Sequence, residues 1–231
     1  MSTRSVKIRK HNLAIKLQEI GAHPRPKIAL EQYTIPADLA AEILFAACYT
    51  YNDIEGKRVI DLGTGTGRLA VGASLLNAAY VVGVDVDQTS LAIASKSSKI
   101  FGVQVDWVLA KADSVRGPMD TVIMNPPFGT RQRHADVNFL GFAIGIGNVV
   151  YSIHKSSTRM FLQRWLQKQG YETSEIITSK MEIPHQFTFH TKERRYVEVS
   201  VIRVRKNYSH DSSLYTGPRS NLQKYPQLLK H

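Results

Sequence analysis

Asn125-Pro126-Pro127-Phe128 places an amide, two residues without N–H donors and an aromatic ring in four consecutive positions. Proline fixes φ and lacks the backbone donor, so the turn is stiff and its carbonyls are bare. The Asn125 amide oxygen and a proline carbonyl can accept hydrogen bonds from an exocyclic amine, and the ring of Phe128 can stack on the flat heterocycle that carries it. Work on an amine attached to a planar ring is the chemistry this suits. The same four residues also suit a rigid surface turn with the phenyl ring tucked into the core.

Sixty residues upstream, Asp61-Leu62-Gly63-Thr64-Gly65-Thr66-Gly67 supplies glycines on alternate positions. Such a turn lets the backbone approach a nucleotide-type ligand and adopt positive φ. Asp85 follows about twenty residues later, with Asp87 behind it, and a carboxylate there can accept both hydroxyls of a ribose. A dinucleotide is one candidate, since Gly65-Thr66-Gly67-Arg68-Leu69-Ala70 loosely matches its fingerprint. S-adenosylmethionine (SAM) is the other. Its ammonium and sulfonium favour a carboxylate such as Asp61 beside the glycines, where a pyrophosphate would be repelled. Taken with the Asn-Pro-Pro-Phe turn, SAM is the cofactor expected, held by Asp61, Gly63, Gly65, Thr66, Gly67, Asp85 and Asn125. Asp113 suits either the adenine amine of that ligand or an ordinary turn cap.

These residues need a scaffold that gathers them. Apolar runs at 59–62, 81–84, 103–109, 121–124 and 149–153 read as buried strands, and longer β-prone runs follow at 171–183 and 196–204. Helical periodicity fills the gaps at 68–77, 88–101, 137–146 and 158–169, with further helices at 5–20 and 37–51. Strand and helix alternate until the last two strands. The fold class expected is α/β, a Rossmann-like, seven-stranded, mostly parallel sheet with a C-terminal antiparallel hairpin and helices on both faces. In that class ligands sit at the carboxyl ends of the strands, where Asp61, Asp85 and Asn125 all fall.

The chain has 231 residues and a formal net charge of +11. The charge is unevenly placed. Residues 31–125 carry seven basic and eleven acidic residues, whereas residues 1–30 carry seven and one and residues 190–231 carry nine and three. An acidic nucleotide-binding half flanked by basic segments suggests a polyanionic partner, RNA or DNA, although a solvated basic face also fits. Cys48 is the only cysteine, which excludes a disulfide framework or a cysteine zinc site; no metal is expected. No signal peptide or 18-residue apolar run is present, so a cytoplasmic protein without membrane association is expected. The organisation expected is a basic helical arm over 1–30, a catalytic domain over 31–206 and a flexible polar tail over 207–231.

Together Glu31-Gln32-Tyr33-Thr34, the 61–67 turn, Val122-Ile123-Met124-Asn125-Pro126-Pro127-Phe128-Gly129 and Val150-Tyr151-Ser152-Ile153-His154-Lys155 resemble a class I SAM-dependent methyltransferase. More narrowly, the chain over about residues 8–206 resembles the methyltransferase-like protein five family, RNA N6-adenine methyltransferases acting on small-subunit ribosomal RNA. The resemblance implies transfer of a methyl group to N6 of a flipped adenine, with Asn125, Pro126, Pro127 and Phe128 as the catalytic turn. It also implies that Gln32 and Thr34 touch SAM, and that a small zinc-ribbon activator protein is a partner. The family's Glu-Gln-Tyr-x-Thr-Pro is here Glu31-Gln32-Tyr33-Thr34-Ile35-Pro36. Arg131, Arg133 and His134 follow the turn and suit either phosphate contact or an exposed loop. His154 and Lys155 end a strand beside the expected pocket, His154 as a wall of the adenine site or as a surface histidine. Methylation of DNA adenine or of a protein glutamine would use the same turn, and a non-catalytic RNA-binding protein would keep the same fold.

Overall fold

A computed structural model describes residues 7–129, 135–183 and 195–207. Its sheet has seven strands in the order β3-β2-β1-β4-β5-β7-β6. They are β1 (Arg58–Leu62), β2 (Tyr80–Asp85), β3 (Asp106–Leu109), β4 (Met119–Met124), β5 (Gly147–Lys155), β6 (Tyr171–Ile183) and β7 (Arg195–Lys206). Strands β1 to β5 are mutually parallel, and β7 lies antiparallel between β5 and β6. The helices are α1 (Lys10–Gln18), α2 (Ala37–Phe45), α3 (Arg68–Leu75), α4 (Gln88–Ile100), α5 (Ala135–Ile146) and α6 (Arg159–Lys168). The expected fold class is the observed one.

Burial explains why the strands read as apolar runs. Helices cover both faces of the parallel region, so Val59, Ile60, Leu62, Val122, Ile123 and Met124 are all buried. The chain leaves β1 to one side for β2 and β3, then returns to the other side for β4. That reversal opens a crevice above the carboxyl ends of β1 and β4.

Several boundaries differ from expectation for identifiable reasons. Strand β3 begins at Asp106 and not at 103, because Val103 donates its N–H to Ser98 and closes the end of α4. The helix expected over 37–51 becomes a π-helical turn, Ala46–Thr50, in its last part. The N-terminal helix is shorter than expected, and it is no free arm. Its Leu13 and Leu17, with Ile20 beyond its end, belong to the same core cluster as Leu44 and Ala73.

Candidate active site

A cavity of about 490 Å³ lies at the crevice. Residues from the 61–66 loop, the ends of β2 and β4, the 29–35 segment and the inner face of α5 line it. It brings together Gln32, Thr34, Asp61, Gly63, Gly65, Thr66, Asp85, Asp113, Asn125 and Pro127. Most of the residues expected to hold a cofactor therefore share one space.

The glycine turn is shaped by its backbone. Gly65 has φ +56°, which turns its N–H toward Asp85, whose Oδ2 accepts it at 2.8 Å. Gly67 has φ +85°, and a Cβ there would lie 2.7 Å from both Ala94 Cβ and a Trp107 ring carbon. Gly67 thus lets α3 begin tight against α4 and β3. Asp61, at the end of β1, is 1% exposed. Its Oδ2 accepts from the Thr64 hydroxyl at 2.6 Å and from the Ala70 N–H at 3.0 Å, while Oδ1 is buried without a partner. Burial pushes the Asp61 carboxyl up to about 7, against the hydrogen bonds from Thr64 and Ala70, with nearby Asp85 adding to the rise. Asp85 is raised too, burial being the main cause; its Oδ1 accepts the Asp87 N–H at 2.8 Å. A cationic group in the cavity would relieve both carboxylates.

One arrangement was not legible as function. Asp87 carries no ligand-facing role from its position behind Asp85, yet it is buried and anchors the segment that covers the cavity. Its Oδ1 accepts from Lys27 Nζ at 2.7 Å, and its Oδ2 accepts from Gln32 Nε2 and Ser90 Oγ, each at 3.0 Å. His23 Nε2 lies 2.8 Å from the same Oδ2, off the line a hydrogen bond requires. Burial alone would raise this carboxyl; the bonds from Lys27, Gln32 and Ser90 outweigh it and hold the pKa low. Gln32 therefore faces Asp87 as well as the cavity.

At the opposite wall, the Asn125 side-chain nitrogen donates to the Tyr33 main-chain carbonyl at 3.2 Å. This fixes the amide so that Oδ1, buried and without a partner, is the acceptor on offer. Pro127 lines the cavity. Phe128 is buried behind it, its ring 5.9 Å from that of Tyr33 at an interplanar angle of 28°. Tyr33 lines the cavity and Phe128 does not, so of the two stacked residues it is Tyr33 that reaches the cavity, with Phe128 behind it. Lys155 Nζ stands 6.0 Å from the Phe128 centroid, which places a cation beside the turn.

His154, expected either as a pocket wall or as a surface histidine, is neither on the surface nor among the residues lining the cavity. It is 1% exposed, with Nε2 2.7 Å from Ser152 Oγ and Nδ1 3.5 Å from Asp136 Oδ2. Strand alternation causes this: positions 152 and 154 of β5 share a face, and that face is packed. Asp113 lies on an exposed 3-10 turn, Ala112–Ser114, where it lines the cavity rim. Arg131, Arg133 and His134 lie outside the described residues. No group of three or more His, Cys, Asp or Glu among the described residues could hold a metal.

The chain has clear relatives. A family model for ribosomal protein L11 methyltransferase (PrmA) matches residues 44–126. A Danio rerio protein named rRNA N(6)-adenosine-methyltransferase METTL5 is 36% identical over 195 residues, covering 81% of this chain and 94% of its own length. The Drosophila melanogaster protein of that name is 34% identical, covering 81% and 92%. A crystal structure from Pyrococcus horikoshii, described as that of a candidate RNA methyltransferase, superposes with a TM-score of 0.79 at 39% identity. It is covered completely, and it covers 87% of this chain. With the alternating glycines, the unpartnered Asp61 oxygen and the Asn125 acceptor around one cavity, these relatives settle the kinship: the chain belongs to the METTL5 family and is a SAM-dependent methyltransferase.

Proposed function

We propose that the protein methylates N6 of an adenosine in small-subunit ribosomal RNA, in the cytoplasm. The observation that carries this reading is the Asn125 amide, held by Tyr33 so that a buried, unpartnered Oδ1 faces the need for a hydrogen-bond donor. The N6 amine of adenine has two protons to donate. In the proposed complex Asn125 Oδ1 accepts one and the Pro126 carbonyl accepts the other, which draws the nitrogen toward sp³ and frees its lone pair. Tyr33, backed by Phe128, holds the base against rotation, and Pro127 limits its depth. Much of the acceleration then comes from positioning. The surplus proton on N6 leaves to water.

SAM supplies a methyl group on a sulfonium, the electrophile such an amine needs. On the donor side Asp61 Oδ1 takes the ammonium, and Asp85 takes the ribose hydroxyls on lone pairs its backbone donors leave free. Asp113 meets the adenine amine; Thr34, Thr66 and the backbone of Gly63 and Gly65 complete the lining, Gly67 shaping the turn from behind, with Gln32 acting through Asp87. Lys155, Arg131, Arg133 and His134 serve phosphates of the RNA. The methyltransferase domain spans 31–206, with α1 packed against it, and the basic segments outside the donor half supply RNA affinity.

A small zinc-ribbon activator is the protein partner this reading provides for. The outer edge of β3, where Val108 and Leu109 are 40% and 57% exposed, is the open edge of the sheet on that side. The L11-methyltransferase match ends at Pro126 and so speaks to the donor half, not to the acceptor. Incubation with labelled SAM and, in parallel, small subunits, total RNA, DNA and protein tests the reading. N6-methyladenosine in small-subunit rRNA is the expected product; label confined to DNA or to glutamine overturns it.

A further inference from the structure

Arg68 opens α3 directly behind Gly67 and lines the same cavity as Asp61. It is 8% exposed. Its Nη1 donates to the Ile35 carbonyl and its Nη2 to the Ile20 carbonyl at 2.7 Å, while Nε is buried without a partner. Among the described residues no carboxylate pairs with it. A guanidinium keeps its charge under such conditions, and a buried charge calls for a counter-charge. The cavity therefore holds two buried ionisable groups of opposite sign, Arg68 and Asp61, each with an atom awaiting a partner and neither bonded to the other. An α-amino acid end carries the complementary pair, a carboxylate and an ammonium on one carbon.

We propose that Arg68 is the receptor for the donor's α-carboxylate, and that it makes the site selective for adenosyl ligands with an intact amino-acid end over decarboxylated ones. This deepens the donor assignment made above and rests on it. The other two Arg68 bonds go to Ile20 and Ile35, which bracket the segment carrying His23, Gln32, Tyr33 and Thr34 along the cavity. A carboxylate on Nε thereby joins the ligand to both ends of its cover. A purely structural Arg68, serving only those carbonyls, would show no preference among ligands.

Calorimetric titration of the full chain with three probes separates these roles. S-adenosylhomocysteine and S-adenosyl-3-thiopropylamine differ only in the carboxylate, and 5′-methylthioadenosine lacks the amino-acid end altogether. The wild type is expected to prefer S-adenosylhomocysteine to its decarboxylated counterpart by roughly tenfold to a hundredfold, the range of a charge-assisted bond. Arg68→Gln is expected to bring that ratio within about threefold, with 5′-methylthioadenosine reporting separately any loosening of the cover that loss of the two carbonyl bonds causes, and Arg68→Lys to restore part of the ratio. A wild type without the preference overturns the proposal, whether or not the variants fold. So does an Arg68→Gln protein that keeps the wild-type ratio. Failure of all three probes to bind would instead overturn the donor site itself.

Discussion

The Asn125 side chain donates to the Tyr33 main-chain carbonyl at 3.2 Å, across 92 positions of sequence. One bond thus sets the polarity of the amide proposed as catalytic and ties its wall of the cavity to the segment that covers it. Because the acceptor is a backbone oxygen, substitutions of the Tyr33 side chain leave that bond available.

Asn125→Asp tests the polarity. The carboxylate has no N–H for the Tyr33 carbonyl, so two acceptors would face each other. Methyl transfer is expected to fall by about a thousandfold or more, as when an aligned donor or acceptor is lost in a transition state. Affinity for S-adenosylhomocysteine should fall far less, by about tenfold at most, since the carboxylates proposed to hold the donor lie elsewhere and the lost bond only loosens the cover. Radiolabel transfer and calorimetry on one preparation check both. Wild-type turnover in Asn125→Asp would sink the proposed role.

The sequence made the sheet legible because burial on both faces writes continuous apolar runs, and glycines and acids at strand ends mark the crevice. It did not disclose how side chains pair across it. His154 sits in a motif that reads as functional, yet only the strand's alternation with Ser152 tells that it points into packed structure. Asp87 looked like a companion of Asp85; the partners that define it, Lys27 and Gln32, are 60 and 55 residues away. Phe128 and Tyr33 are both visible as aromatics. Which of them lines the cavity depends on a ring contact that no spacing encodes.

Gly67→Ala should destabilise the fold by about 2–5 kcal/mol. A left-handed backbone costs an L-residue about 1–2 kcal/mol, and overpacking adds about 1–3 kcal/mol. The added methyl would lie 2.7 Å from Ala94 Cβ and from the Trp107 ring. Urea denaturation followed by Trp fluorescence measures this, and an unchanged midpoint would show that the helix start can shift.

Asp87→Ala removes the anchor shared by Lys27, Gln32 and Ser90. The 23–35 segment should loosen, and the dissociation constant for S-adenosylhomocysteine should rise about tenfold, the equivalent of one charge-assisted bond. Lys27 is 57% exposed at its side chain, so Lys27→Ala alone should have a smaller effect. Trypsin cleavage after Lys27, slowed by ligand in the wild type, should become fast and ligand-insensitive in Asp87→Ala. Equal affinities and equal cleavage would detach Asp87 from the cavity.

The Asp61 carboxyl, at about 7 in the folded chain against an ordinary 3.8, makes two properties move oppositely with pH. Between those values the folded state holds a proton that the unfolded state has lost. Stability of the ligand-free protein should therefore fall as pH rises from about 4 to about 7. Ligand affinity runs the other way. An ammonium pairs with the ionised carboxylate, so the dissociation constant for S-adenosylhomocysteine should weaken by up to about tenfold for each unit below pH 7, and level off above it. Asp61→Asn should flatten both curves, because its amide does not titrate. Thermal melts and calorimetry at pH 5.5, 6.5, 7.5 and 8.5 follow the two trends together. A pH-independent affinity in the wild type would mean that Asp61 is ionised throughout, and would remove it as the ammonium's partner in a proton-linked site.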